Sequence, residues 1–473
     1  MPTWVFRTPP APQGADLYAA PKPVTPWEGV REATSLGATA PQPGYDPPFN
    51  KLLSNPIVDG PDFLNLNVWT PGDSTAGGGG LPVLVWFHGG AFRNGSNANA
   101  AYDGTAFARD GVVLVSVNYR LGVAGFGVLE GAPSNRGLLD QLAALAWVQE
   151  NIAAFGGDPS QVTIFGQSAG GMSVATLLSL PSSKGLFRRA IMQSGSAESV
   201  ALATDAMSMT AELAKHLGIQ ATPEALGAVL IPDLIAAQQA VSTDLRQNPD
   251  PARFGASVIK AGGGIMPFFP VVDGELIHEV PLDAINAGAG RDVELMVGTT
   301  TEEFRFFTIP SGIAAAVTAE ALPVLLARAG LDPAIAGLYA ANRPGQSPGE
   351  IYTAVTSDAS FTVPTLRLAE AASSAYVYEF AWQSPLPGLG ACHALEIPFV
   401  FDTLADGGSP LQGDNPPQEL ADRMHAAWVA FATTGDPGWS QYDTTSRPVM
   451  SFDHPESRQL ADPHADELAL LRQ

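Results

Sequence analysis

The chain has 473 residues, 45% of them hydrophobic, and carries 47 acidic against 24 basic side chains, a formal net charge of −23. Such a charge repels phosphate backbones and anionic bilayers, which argues against nucleic-acid and membrane-surface partners. The lone cysteine, Cys392, rules out an internal disulfide, no zinc-type spacing or metal-binding carboxylate cluster is seen, and no apolar run reaches the roughly eighteen residues of a membrane helix.

Residues 1–60 are Pro-rich and show no clear strand pattern, and Met1 to Pro12 lacks a basic start followed by an apolar core, so a cytoplasmic location is expected. From there the predicted strands are Leu64–Trp69, Val83–Phe87, Val112–Tyr119, Val162–Phe165, Ala190–Gln193, Val293–Val297, Tyr376–Trp382 and Val449–Phe452. Gly77 to Gly80 reads as a surface loop between the first two. Residues 200–262 and 311–345, rich in Ala and Leu, read as helical insertions lying over the carboxyl edge of the strands and covering the active site. No linker of domain-separating composition appears. Strands alternating with helices therefore predict one α/β domain over residues 1–473, with a large, mostly parallel sheet and helices on both faces.

Val162-Thr163-Ile164-Phe165 runs into Gly166-Gln167-Ser168-Ala169-Gly170, and a small-residue helix follows from Ala169 to Leu180. A strand, then G-x-S-x-G, then a helix forces the serine onto a tight turn with its hydroxyl exposed. The glycines are steric requirements, since a Cβ two residues before or after Ser168 would collide across so sharp a reversal. Upstream, Val83-Leu84-Val85-Trp86-Phe87 ends in His88-Gly89-Gly90-Ala91-Phe92. Small residues there leave backbone N–H groups uncovered, as donors to a developing oxyanion must be; the plain alternative is an ordinary Gly-rich turn.

A serine nucleophile needs a base and an acid, in this architecture following it as acid and then histidine. Of seven histidines, His88 and His216 come too early, His278 precedes the best acid, His425 lies in a helical pattern, and His454 and His464 sit in a polar tail. His393 follows the strong strand Ala375–Trp382 and the Pro/Gly-rich loop Pro385 to Gly390. A histidine on such a loop reaches over the sheet edge. The strand Val293–Gly298 leads into Thr299 to Glu303, which offers Glu302 and Glu303, and spacing does not choose between them. Cys392, beside His393, reads as a small packing residue because Ser168 already supplies the nucleophile.

With these segments in place, the chain resembles the type B carboxylesterases, the group of cholinesterases and bacterial p-nitrobenzyl esterases within the α/β-hydrolase fold. The resemblance runs from about Trp27 to Pro437. It rests on Leu64 to Pro71, His88 to Phe92, Asn118-Tyr119-Arg120-Leu121-Gly122, Asn135 to Gln141, and Asn151 through Gly156-Gly157-Asp158-Pro159 into Gly171. Later matches are Gln193-Ser194-Gly195-Ser196, Val297 to Glu303, and His393-Ala394-Leu395-Glu396-Ile397-Pro398-Phe399. The resemblance implies Ser168 as nucleophile, His393 as general base and acid, and Glu303 rather than Glu302 as the acid. It also implies oxyanion donors at the N–H groups of Gly90, Ala91 and Ala169, a supporting hydroxyl at Ser194, and a structural ion pair of Arg120 with Asp140.

Phe304 stands where the family has glycine after the acid, and Phe63 where it often has a cysteine. The implied activity is hydrolysis of carboxylic esters of short to medium acyl chain through an acyl-enzyme, needing no cofactor and no metal, by a monomer or homodimer. Phe92, Phe306 and Trp382 are candidates for the substrate pocket. The alternatives are a non-catalytic adhesion module of the same fold, which would lack the serine or the histidine, and an amidase or a hydrolase dedicated to one natural product.

Overall fold

The structure is a computed structural model that describes residues 3–7, 13–24, 28–30, 32–72, 80–405 and 409–472; residues 77–79 of the expected loop and Trp27 lie outside these. Among the described residues twelve strands are formed. In chain order they are β1 (Thr3–Arg7), β2 (Asn65–Trp69), β3 (Leu81–Phe87), β4 (Val113–Val117), β5 (Gly157–Gln167), β6 (Arg189–Gln193), β7 (Ala201–Leu202), β8 (Val271–Val272), β9 (Glu294–Thr300), β10 (Ala375–Phe380), β11 (Pro448–Phe452) and β12 (Arg458–Ala461). Ten make one sheet in the order β1-β2-β4-β3-β5-β6-β9-β10-β11-β12, and β7 pairs with β8 alone. The interior pairings from β4 to β11 are parallel, whereas β1/β2, β2/β4 and β11/β12 are antiparallel.

The central strands are buried throughout, and their alternation decides which core each side chain enters. Val83, Val85 and Phe87 of β3 join Val113 and Val115 of β4 and Val162 and Ile164 of β5 in one layer. Leu84 and Trp86 of the same strand face the opposite layer with Leu114, Phe165, Ile191 and Met296. Helices cover both layers, which is why the strands read in sequence as continuous apolar runs. This is the α/β-hydrolase architecture. A third, smaller core of Val317, Leu322, Leu326, Ile335, Tyr339, Ile351 and Val355 joins helices outside the sheet.

All eight predicted strands exist, with ends displaced by up to five residues at β5. Sequence reading missed β1, whose backbone pairs with β2 from Thr3↔Trp69 to Arg7↔Asn65, and the short edge strand β12. Both stand at the ends of the sheet order; the apolar run of β1 is only Trp4-Val5-Phe6, and β12 is four residues long with two polar ones. The segment 200–262 is helical at Ala203–Leu217, Pro223–Gly227, Ile231–Gln247, Pro251–Phe254 and Ala256–Gly262; 311–345 is helical at Ile313–Ala316, Ala321–Arg328 and Ile335–Asn342. Arg120 and Asp140 form a buried ion pair at 2.7 Å, and the Arg120 guanidinium also donates to the carbonyls of Leu17 and Ala19, tying the N-terminal segment to the sheet.

Candidate active site

Four loops leave the carboxyl ends of parallel strands and meet at one rim, the place where open α/β sheets gather ligands. They follow β3, β5, β9 and β10 and carry His88 to Gly95, Ser168, Glu303 and His393 respectively.

Ser168 sits between β5 and the helix Ala169–Ser179 with φ 57° and ψ −123°, a strained conformation for a residue bearing a Cβ. The strain is held by close packing. A Cβ on Gly170 would lie 1.9 Å from the Phe87 carbonyl oxygen, and one on Gly166 would lie 2.5 Å from the backbone of Gly170. The Ser168 N–H donates to the Gln193 carbonyl at 2.9 Å and its own carbonyl accepts from Met172 N–H at 2.8 Å, so turn and helix start are pinned together.

The loop after β3 presses against this turn. A Cβ on Gly89 would meet Ser168 Cβ at 3.2 Å and the Gln167 carbonyl at 2.7 Å, and one on Gly90, at φ 114°, would meet the Asn94 carbonyl at 2.1 Å. Ala91 and Phe92 follow in consecutive left-handed conformations, both with φ 56°. Successive turns of this kind gather backbone N–H groups into a concave nest. Among the described residues, the N–H groups of Gly90, Ala91 and Ala169 donate to no protein acceptor. Ala169 also opens a helix, whose first N–H groups have no intrahelical partner and whose dipole favours negative charge. His88 is fully enclosed below the loop. Its ring stacks on Tyr119 at 4.5 Å, Tyr119 Oη donates to its carbonyl at 2.7 Å, and burial pushes the imidazole down to about 4.

The two glutamates left open by spacing point in different directions. Glu303 is fully buried; Oε1 accepts from Thr300 N–H at 2.8 Å and Oε2 from Nδ1 of His393 at 2.5 Å. Glu302 instead fastens the loops together. Its Oε2 accepts from Ala391 N–H at 3.0 Å, its own N–H donates to the Ala391 carbonyl at 2.9 Å, and Oε1 pairs with Arg305 at 2.6 Å. Phe304 takes ordinary right-handed helical angles, φ −73° and ψ −10°, so no glycine is needed after the acid. Its N–H donates to Ser357 Oγ at 2.9 Å.

With Nδ1–H committed to a carboxylate, Nε2 of His393 is the acceptor nitrogen. It lies 3.2 Å from the side-chain amide nitrogen of Gln167, the residue before Ser168, so the imidazole is turned toward the elbow. The ring is 4% exposed and is flanked by Phe361 at 5.0 Å, Phe307 at 5.3 Å and Phe306 at 6.3 Å between centroids.

Three sequence expectations come out differently. Ser194 is buried beside β9 with its N–H on the Gly298 carbonyl, but its hydroxyl meets no partner, while the two Glu303 oxygens accept from Thr300 N–H and His393. Phe92 is fully buried with its ring against Phe126 at 4.8 Å, since its left-handed backbone turns the side chain into the core. Trp382 packs on Phe399 at 5.2 Å and Phe380 at 6.5 Å, while only Phe306 of the three candidates lies against His393. The aromatic closest to His393, Phe361, went unnoticed in the sequence. It projects from Asp358–Thr362, a π-helical turn inside the run from Pro348 to Ala371, where Asp358 accepts from Tyr339 Oη and Thr362 Oγ1. Such turns have no composition signature and often mark functional sites. Cys392 is buried, and burial together with the Glu303 charge drives its thiol far up, which keeps it a packing residue. Among the described residues no group of His, Cys, Asp or Glu side chains is arranged to hold a metal ion, and no helix is long and apolar enough to cross a membrane.

A strained serine between a parallel strand and a helix, with a loop of free N–H groups on one side and a buried histidine–carboxylate pair on the other, belongs to the α/β-hydrolase class. Residues 9–469 match the profile of the carboxylesterase family, and the chain belongs to that family: it is a carboxylic ester hydrolase. It is 36% identical over 467 residues to a para-nitrobenzyl esterase of Bacillus subtilis, covering 93% of this chain and 89% of that one. It is 34% identical over 463 residues to a phenmedipham hydrolase of Pseudarthrobacter oxydans, covering 93% and 88%. Among solved structures, a Geobacillus stearothermophilus carboxylesterase superposes with a TM-score of 0.84 at 36% identity, covering 99% of this chain and 96% of that one.

Proposed function

We propose that the protein hydrolyses carboxylic esters of short to medium acyl chain through an acyl-enzyme on Ser168, with His393 and Glu303 completing the triad. The reading rests above all on the 2.5 Å contact between Glu303 Oε2 and His393 Nδ1, with Nε2 directed to the serine elbow. Nε2 takes the Ser168 proton as Oγ attacks the ester carbonyl, which requires the Gln167 amide to yield that lone pair. Glu303 holds the tautomer and stabilises the imidazolium. The N–H groups of Gly90, Ala91 and Ala169 receive the oxyanion, and the imidazolium then protonates the departing alcohol. Water bound in its place repeats the sequence and releases the acid.

The para-nitrobenzyl esterase relative supports an aryl-bearing alcohol among the accepted esters, and the Phe306, Phe307 and Phe361 rings beside His393 suit one. A panel of p-nitrophenyl esters of rising chain length, run beside an aryl amide and a carbamate, tests the substrate class. Ester turnover that declines beyond medium chains is expected, with the amide far slower. Ser168→Ala should lose several orders of magnitude in kcat; retention of a tenth of the wild-type rate, or failure of an organophosphate to label Ser168, would remove the assignment.

A further inference from the structure

Phe361 reaches His393 from a piece of backbone that does not keep its shape unaided. The run from Pro348 to Ala371 is α-helical up to Ser357 and again from Val363, with the π-helical turn Asp358–Thr362 between them. Such a turn takes one residue more than the α-helix it interrupts, and it is rare because the α-helical bonding pattern is ordinarily preferred. Reversion to the α form changes the angle between the turn and one flanking helix by about one residue, or 100°. Phe361 would then leave the face it presents to His393. Packing alone does not prevent this, because a cavity lined by Thr362, Thr365, Leu366, Glu379 and His464 opens beside the turn.

What fixes the turn is its first residue. Asp358 is buried; Oδ2 accepts from Tyr339 Oη at 2.6 Å and Oδ1 from Thr362 Oγ1 at 2.8 Å. One carboxyl therefore closes the turn on itself and ties it to the neighbouring helix Ile335–Asn342. Tyr339 is fully buried in the small outer core, and the Arg343 guanidinium lies over its ring at 4.8 Å. Arg343 is held in turn by buried Glu467 of the last helix, Ala465–Leu471. Nη2 donates to Glu467 Oε2 at 2.9 Å and Nη1 to Oε1, which also accepts from Asn342 Nδ2 at 2.9 Å. On the opposite side, Ser357 Oγ accepts from Phe304 N–H and the Phe361 ring stands 6.1 Å from that of Phe304, so the turn lies between these outer helices and the loop that carries Glu303.

We propose that Tyr339 is a positioning residue for substrate discrimination: its bond to Asp358 holds the π-helical turn so that Phe361 stands against His393 and limits the bulk of the ester admitted there. The inference rests on the ester hydrolysis proposed above. A single hydrogen bond of this kind shifts a conformational equilibrium by a factor of about 2 to 10. Glu303 keeps its bonds to Thr300 N–H and His393 whichever way the Phe361 ring points. The effect therefore falls on the choice between esters and only weakly on the rate with a small one.

The test is the ratio of kcat/KM for p-nitrophenyl benzoate to that for p-nitrophenyl acetate. It is measured in wild type, Tyr339→Phe, Phe361→Ala and the double variant, with circular dichroism to establish folding. Tyr339→Phe keeps the ring under Arg343 and removes only the donor to Asp358. The ratio should rise by about threefold or more. In the Phe361→Ala background the same substitution should change it by less than about twofold, because the ring it acts on is gone. A merely structural role would lower the melting temperature and both rates together, leaving the ratio where it was. A rise of less than about threefold in Tyr339→Phe overturns the proposal, and so does a shift of about twofold or more that persists without the Phe361 ring. Should Tyr339→Phe not fold, Thr362→Val, which frees the other oxygen of the same carboxyl, is held to the same two criteria. Failure of the triad itself would be seen separately, as Ser168→Ala retaining turnover.

Discussion

Gln167 holds its side-chain amide nitrogen 3.2 Å from Nε2 of His393, against the same lone pair to which the proposed reaction delivers the Ser168 proton. Gln167 is 2% exposed, so the contact is made inside the rim and not in bulk water. A neutral amide there keeps the ring oriented between turnovers without adding charge.

Gln167→Glu replaces that amide by a carboxylate beside the imidazole. An opposite charge at this range stabilises imidazolium by the equivalent of about 1 pH unit or more. The acidic limb of kcat/KM should therefore move to higher pH, leaving less activity at neutral pH and most of it restored above the limb. A profile unmoved along the pH axis would count against this orientation of Gln167.

Glu303 and Glu302 are adjacent in the chain and should separate cleanly by kinetics. Glu303→Gln leaves the shape but removes the charge and disturbs the tautomer of His393, a change expected to lower kcat by roughly three to four orders of magnitude. Glu302→Gln keeps an acceptor for Ala391 N–H and loses only the Arg305 pair, so kcat should fall by less than about tenfold. Equal losses in the two variants would mean that the acid has been misassigned.

Phe361 projects from the π-helical turn to within 5.0 Å of the His393 ring centroid. Phe361→Ala empties space beside the reacting centre, and one or two lost contacts of this kind change discrimination by about 10- to 100-fold. The ratio of kcat/KM for a bulky aryl ester to that for p-nitrophenyl acetate should rise, with the acetate rate changing less. An unchanged ratio would place Phe361 outside the substrate path.

His88 carries the clearest stability signature. Its imidazole is pushed by burial down to about 4 from an unfolded value near 6.5, so the unfolded chain binds the extra proton between these limits. Stability from this group is complete above the unfolded value and is lost as pH falls toward the folded one, by about 2 kcal/mol between pH 7 and 5. Denaturant unfolding of wild type and His88→Gln at the two pH values reads the difference as a smaller pH dependence in the variant. A variant with the wild-type dependence would exclude His88 as its source.

Much of this was legible in the chain because local steric rules leave visible marks. The glycines flanking Ser168 and those after β3 are needed wherever a backbone approaches within contact distance, so they stand out in a sequence. Buried parallel strands likewise announce themselves as unbroken apolar runs. Edge strand β12, Arg458–Ala461, carries no such run and was missed, and so was β1, whose apolar run is only Trp4-Val5-Phe6 in a Pro-rich segment. Phe92 and Trp382 illustrate the opposite failure. An aromatic residue near a motif has no intrinsic direction, and the backbone angle at Phe92 and the packing of Trp382 on Phe399 decided where each ring went.

The sequence by itself determined the fold class and the family, and singled out the serine and histidine proposed as the reacting pair, because local spacing, small residues at close approaches and apolar periodicity are visible in it. Only the tertiary structure put Glu303, the acid implied by the family resemblance, on Nδ1 of His393, turned the Gln167 amide onto His393, left the Ser194 hydroxyl without a partner, and brought Phe361 to the ring. Those outcomes depend on contacts between segments far apart in the chain, where the direction of one bond or the burial of one carboxyl is set by neighbours that no local pattern encodes.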